Sequence, residues 1–400
     1  MLKEQDVGQV VYRALDLMNA RAVKEFSLPS DTYMGAGAVA CMGEALAARG
    51  ISRVFIVIDE IVDKLALAEA MFRSLATYNI GYVIYTQPPG EPESIVVEDA
   101  ARKFTSSNCN GMIAIGGGSA LDSAKAIAML AANTHLDVAG LLNAKNITHK
   151  RAPLIAVPTT AGTGSEATNV TVITDSVSLQ KRVIAHADLI PDLAIIDACL
   201  MLQLPSEFTA ATGVDALTHA IEAYVAKKAT PLTRALAYQA LRMIGESLTI
   251  ATGQGDNIEA RESMALASYM AGVAFSNAGL GLTHAMAHQI GANYKIPHGV
   301  ANAIMLPSIM DFNELVCKRD FSDIGLSLTG EIMSSKEVIQ FIQGLIIDLG
   351  LPRNLAVAGG KEEDFETMAK EAMKDYCLPT NPRSVSQSQI VQVYRHAFNR

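Results

Sequence analysis

Between Gly213 and Gly299 the chain places four of its eight histidines, His219, His284, His288 and His298, among small and apolar residues. The stretch opens with Gly213-Val214-Asp215-Ala216-Leu217-Thr218-His219. It closes with Gly281-Leu282-Thr283-His284-Ala285-Met286-Ala287-His288 and then Pro297-His298-Gly299. Asp215 and His219 are four apart, as are His284 and His288, so on a helix each pair projects from one face. Three imidazoles and a carboxylate converging on one point make a divalent-metal site with a position free for substrate. A lone histidine is more often a helix-surface or satisfied core residue. Clustering, paired spacing and small neighbours favour a shared site for the set. Spacing alone does not choose between His288 and His298.

The first half of the chain alternates strand and helix signals. Apolar runs at 54–58, 82–85, 112–115, 154–157 and 195–197 are interleaved with helical sequence running on to 78, at 94–106 and at 120–132. That pattern predicts a parallel sheet covered on both faces. A short extended segment is expected at 26–28 and a strand pair at 170–174 and 181–185. Ahead of these, residues 6–20 set Val7, Val11, Ala14 and Met18 on one face of an amphipathic helix. Its apolar stripe suits packing on the protein's own surface or docking on a partner.

Ile115 is followed by Gly116-Gly117-Gly118-Ser119 and an alanine-rich helix. A strand, a glycine turn and a helix N-terminus form an anion cradle, because glycine admits close backbone approach and the free amides face the ligand. Ser119 with Asp122 also fits a capping box, and the turn is not the Gly-x-Gly-x-x-Gly fingerprint. Asp59 ends the 54–58 run. There a carboxylate either holds the ribose hydroxyls of NAD and repels the extra phosphate of NADP, or caps the next helix. The run Pro158-Thr159-Thr160-Ala161-Gly162-Thr163-Gly164-Ser165-Glu166 is a hydroxyl-rich loop able to wrap a diphosphate or ribose, or else an irregular turn.

From Pro205 helical periodicity takes over, at 206–226, 231–252, 258–275, 281–294, 300–312 and 336–349. The length of 400 residues also favours two domains. The expected architecture is α/β plus all-α: a dinucleotide-binding parallel-sheet domain over 1–199 and an all-helical metal-binding domain over 200–400. A net charge of −9 argues against a nucleic-acid partner. No apolar run is long enough to span a bilayer and no secretory signal opens the chain, so a cytoplasmic protein without membrane association is expected. The five cysteines show no Cys-x-x-Cys and read as reduced thiols.

Taken together, Gly116 to Ser119, Pro158 to Glu166, Gly213 to Ala220, Gly279 to His288, Pro297-His298-Gly299 and Asn381-Pro382-Arg383 resemble the iron-containing (group III) alcohol dehydrogenase family over nearly the whole chain. Thr168-Asn169-Val170-Thr171-Val172-Ile173 and Ala271-Gly272-Val273-Ala274-Phe275-Ser276 are most similar to its ethanolamine-utilisation type. The resemblance implies metal ligation by Asp215, His219, His284 and His298, and it puts His288 beside the nicotinamide as a proton carrier. It implies NAD contacts at Asp59, Gly117, Gly118, Ser119, Asp122, Thr159, Thr160, Thr163 and Lys181, with Val170 and Phe275 lining the substrate pocket. Many members carry Asn-Pro after the second strand. This chain has Gly90-Glu91-Pro92, so Glu91 near the adenosine would interact differently.

The activity so implied is NAD(H)- and metal-dependent interconversion of a small primary alcohol and its aldehyde, with ethanol and acetaldehyde first. The alternative is a small diol or hydroxyaldehyde. Iron is the expected metal, and three nitrogens with one oxygen also accept zinc. A homodimer or larger homo-oligomer is expected, in a setting that extends to the interior of a bacterial microcompartment and its components. A metallohydrolase could use the same ligands without a nucleotide. A non-catalytic assembly protein would have no reason to keep a buried polar cluster.

Overall fold

Along β2 (Arg53–Asp59), Phe55 and Val57 point into one core and Val54, Ile56 and Ile58 into another, and all five are buried. Period-two alternation with apolar residues on both sides is what a strand needs when helices cover both faces of its sheet. The computed structural model describes residues 24–177 and 180–400. The helix expected at 6–20 lies outside the described residues.

The sheet is parallel throughout. β1 (Asp31–Met34), β8 (Leu193–Ile196), β5 (Leu154–Pro158), β4 (Gly111–Gly116), β2 and β3 (Gly81–Gln87) lie side by side in that order. Interleaved in the chain are α1 (Met42–Ala48), α2 (Glu60–Lys64), α3 (Glu69–Thr77), α4 (Ser94–Ser106), α5 (Gly118–Ala132) and the short α6 (Val138–Leu141). Met42, Leu46, Met71 and Leu75 of α1 and α3 pack on Ile56, Ile58, Ile113 and Ile115. Val97, Phe104, Leu121 and Ala124 of α4 and α5 cover Phe55, Val57, Met112 and Ala114 on the opposite face. An antiparallel pair, β6 (Val170–Thr174) and β7 (Lys181–Ala185), stands apart from the sheet.

Two local expectations differ from what is observed. Residues 26–28 make no strand; Ser27 instead exchanges both backbone groups with the Asn277 side chain, at 2.8 Å each. The strand comes slightly later, as β1, a four-residue edge without the apolar run that marks the inner strands. The helical sequence after Asp59 splits into α2 and α3, because Ala66 adopts φ 52° and Leu67 N–H turns back to the Val62 carbonyl, a left-handed helix stop.

After β8 the chain is helical: α7 (Ser206–Val225), α8 (Pro231–Gly253), α9 (Ile258–Ala278), α10 (Leu282–Tyr294), α11 (His298–Thr329), α12 (Ser335–Asp348), α13 (Phe365–Ala372) and α14 (Gln387–Asn399). α11 outruns its expected end near 312. Past a kink at Cys317 it continues on a buried stripe of Cys317, Phe321, Ile324 and Leu328. α13 and α14 were not foreseen. Phe365, Met368 and Tyr394 pack on Met286 and Ile290 of α10, and the Tyr394 hydroxyl donates to the Met286 carbonyl at 3.0 Å. Among the described residues no single helix is long and apolar enough to cross a membrane.

The parallel register brings the carboxyl ends of β2, β4 and β5 level, with Ile58 opposite Ile115 and Gly116 opposite Pro158. There two of the three glycines have no room for a side chain. A Cβ on Gly116, which sits at φ +152°, would lie 2.6 Å from the Asp59 Cβ, and one on Gly118 would lie 2.7 Å from the Thr163 Cγ2. Replacing Gly116 with Ala should therefore lower unfolding free energy by about 1–3 kcal/mol from backbone strain, with steric displacement of Asp59 added. Urea unfolding of the two proteins measures it, and equal midpoints would contradict the packing described.

Candidate metal and cofactor site

α7 is buried around most of its circumference, so its polar residues must find partners inside the protein. Asp215, His219 and Glu222 recur at four and three residues along one side of it. His284 comes from the first turn of α10 and His298 is the first residue of α11. The Nε2 atoms of His219, His284 and His298 lie 3.8, 3.7 and 3.5 Å from Asp215 Oδ1. The ligand atoms of all four residues lie within 4.8 Å of one another.

Two of the outer nitrogens have partners of their own. His219 Nδ1 donates to the Gly162 carbonyl at 3.1 Å and His284 Nδ1 to Glu222 Oε2 at 2.7 Å. Both partners only accept, which leaves each Nε2 facing the shared centre. Glu222 also accepts from the amides of Gly281 and Thr283 at 2.9 and 2.7 Å, so it fixes the start of α10 along with the imidazole. The Asn302 amide donates to Asp215 Oδ1 at 2.7 Å.

The electrostatics fit a cation. Burial works to raise the Asp215 carboxyl, but the imidazoles of His219, His298 and His284 hold it well below the usual range. Burial lowers His219 to about 4 and takes His298 well below its ordinary value. His284 is also buried, yet the carboxylates of Asp215 and Glu222 lift it to about 9. A divalent ion held by these four residues would take the place of that proton. Three nitrogens and one carboxylate oxygen suit ferrous iron or zinc.

His288, the alternative left open by spacing, falls outside this set. Its Nδ1 lies 2.8 Å from Asp375 Oδ2, and its ring stacks on His298 with centroids 5.4 Å apart. Asp375 is itself held by the Cys377 amide at 2.8 Å, and the His288 imidazole helps bring its carboxyl to about 2 against the effect of burial. Phe275 stacks on His219 at 4.4 Å, and Val170 packs against the same core.

The dinucleotide candidates lie at the level strand ends. Gly117 is the N-cap of α5 and supplies no side-chain cap. The capping box does not form, because Asp122 is turned inward, accepting from Ser165 Oγ at 2.6 Å and Val172 N–H at 2.8 Å. Ser119 follows in the first turn. Thr159 donates its amide to Gly116 at 2.9 Å, and Thr160 and Thr163 flank Gly117 and Gly118. One oxygen of Asp59 caps α2 through Ile61 N–H at 2.8 Å. Lys181 opens β7 and pairs with Glu91 at 2.8 Å. Lys125, wholly buried and lowered to about 8 by burial, donates to Thr168 and to the Val170 carbonyl and so anchors β6 beneath the site.

Glu222, Asn302 and Asp375 were missed. Glu222 follows Asp215 by seven and Asn302 follows His298 by four, so helical periodicity could have found both. Asp375 lies 87 residues from His288, and nothing local points to it.

Residues 29–198 match the model of iron-containing alcohol dehydrogenases, and residues 209–398 match the C-terminal model of the Fe-containing alcohol dehydrogenase family. The chain belongs to the iron-containing alcohol dehydrogenase family. It is 46% identical over 394 residues to the probable alcohol dehydrogenase EutG of Salmonella typhimurium and 45% identical to that of Escherichia coli, covering 98% of this chain and 100% of each relative. Among solved structures it is similar to a 1,3-propanediol oxidoreductase, with TM-score 0.91 and 36% identity over 94% of this chain and 100% of that one. It is also similar to a sulfoacetaldehyde reductase from Bifidobacterium kashiwanohense in complex with NAD+, with TM-score 0.85 and 26% identity over 94% and 98%.

Loss of the Glu222 bond should loosen the metal site. Glu222→Gln is expected to weaken divalent-metal affinity about 10- to 100-fold, read by competition with a chromophoric chelator. Unchanged affinity would mean that His284 is oriented by packing alone.

Proposed function

We propose that this protein interconverts a small primary alcohol and its aldehyde with NAD(H), running chiefly as an acetaldehyde reductase. The observation that carries the reading is the convergence of Asp215, His219, His284 and His298 beside an uncapped helix N-terminus at the strand ends.

A divalent ion held by these four residues would supply Lewis acidity to the substrate oxygen, and the nicotinamide would supply the hydride chemistry. The chain's own residues do the rest. The amides at the start of α5 face the diphosphate, with Ser119, Thr159, Thr160 and Thr163 as hydroxyl partners. Asp59 keeps one oxygen for the adenosine ribose and disfavours a 2′-phosphate. Asp122 braces the loop around Ser165 and β6 that flanks this path. His288 exchanges the alcohol proton with solvent at Nε2, because Asp375 holds Nδ1 in its protonated form. Phe275 and Val170 present an apolar wall to the carbon chain. Such a wall leaves the extra hydroxyls of a polyol unpaired, at about 1–3 kcal/mol each. That favours ethanol over a diol as partner, although relatives named 1,3-propanediol dehydrogenase share 37% identity.

The test is a set of initial rates with NADH and NADPH across aldehydes, with the protein loaded separately with ferrous iron and zinc. Acetaldehyde with NADH should be preferred, and glycerol should be oxidised less efficiently than ethanol. Asp59→Gly should raise use of NADPH. His288→Gln should lower turnover while metal content stays intact; loss of metal would overturn the ligand assignment.

We further propose that the protein acts as a homo-oligomer in ethanolamine utilisation, inside a microcompartment where acetaldehyde is reduced and NADH recycled, the setting that its resemblance to the ethanolamine-utilisation type implies. Residues 1–22 fused to a fluorescent reporter should then form foci in cells that make such compartments. Diffuse fluorescence would count against a targeting role for that segment.

A further inference from the structure

Lys181 and Glu91 come from stretches 90 residues apart and meet at 2.8 Å. The lysine side chain is 20% exposed and the glutamate 50%, so the pair stands at the rim of the site with its cation turned inward. Glu91 is not on a loose loop. The Pro92 carbonyl accepts Thr174 N–H at 2.8 Å, Glu93 bridges Thr174, and Ser94 and Ser176 exchange hydrogen bonds at 3.1 Å. The segment carrying Glu91 is therefore fastened to the hairpin carrying Lys181, and the carboxylate is presented to the ammonium.

The hairpin carrying Lys181 is braced on the sheet half, where Asp122 of α5 accepts the Val172 N–H at 2.8 Å. Lys181 itself reaches the helical half, since a Cβ on Gly291 of α10 would lie 4.0 Å from its Nζ. A dinucleotide seated on the glycine turn and extending toward the metal ligands would pass Lys181. Its anionic groups would then seek the ammonium that Glu91 already holds. A fixed carboxylate at that place opposes an anionic ligand twice, by occupying its cation and by like charge.

We propose that Glu91 competes with the bound dinucleotide for Lys181 and so acts as a release element that keeps cofactor affinity low. This rests on the reading of the glycine turn as the dinucleotide site. It makes Glu91 a determinant of cofactor exchange, working through an ion pair that the protein's own hairpin presets.

The experiment is NADH fluorescence titration of the full-length, metal-loaded protein in four forms: wild type, Glu91→Gln, Lys181→Met and the double variant. Glu91→Gln should tighten NADH binding about 3- to 10-fold, while Lys181→Met weakens it. In the Lys181→Met background the Glu91→Gln change should have no effect, because the contested cation is gone. Equal or weaker binding in Glu91→Gln would overturn the proposal, as would equal tightening in both backgrounds, which would mean direct repulsion without competition. A wild-type protein that binds no NADH would instead overturn the underlying cofactor reading, and this proposal with it.

Discussion

The structure depends on one electrostatic constraint, a carboxylate and three imidazoles enclosed among helices. Asp215, His219 and His284 are 3%, 4% and 1% exposed. Taking such groups from water costs several kcal/mol per charge unless opposite charge and hydrogen bonds compensate. Compensation here needs partners from three elements. Gly162 comes from the loop after β5, Glu222 from α7 itself, and Asn302 from α11, the helix that His298 opens. These bonds therefore join α7 to α10 and α11, and they tie the helical half to a loop of the sheet half.

The sheet half meets that constraint with a different kind of order. Its parallel register levels the ends of β2, β4 and β5. The glycine turn then lets Asp59, Ala120 and Thr163 close in where any side chain would collide. Backbone amides at the start of α5 are left without a side-chain cap. The hydroxyl loop that wraps this turn also delivers the Gly162 carbonyl to His219. One segment, 158–166, thus reaches from the glycine turn to the cluster around Asp215.

Much of this was legible in the sequence, for stated reasons. The inner strands are continuous apolar runs because both their faces are buried, and β2, β4 and β5 stand where those runs lie. The long helices follow their apolar stripes. The edge strand β1 was misplaced because an exposed four-residue strand carries no such run. The end of α11 was misplaced because charged residues interrupt its surface face while Phe321 and Ile324 continue its buried one. α13 and α14 escaped notice because their stability comes from docking on α10 more than from their own composition.

By itself the sequence determined which residues could bind a metal, since only Asp, His, Cys and Glu offer the donors and helical spacing limits which of them share a face. It also determined where the glycine turn and hydroxyl loop had to lie. Spacing left His288 and His298 both open and the resemblance implied His298; the tertiary structure sets the His298 Nε2 3.5 Å from Asp215 Oδ1. Both are near in sequence to His284, and the choice depends on how α11 begins relative to α10. Only the fold could give His288 its partner Asp375, or set Glu91 against Lys181, because these pairs join segments 87 and 90 residues apart. Hydrogen bonds and ion pairs act over a few ångströms of space, and a linear pattern records proximity only along a single helix or strand.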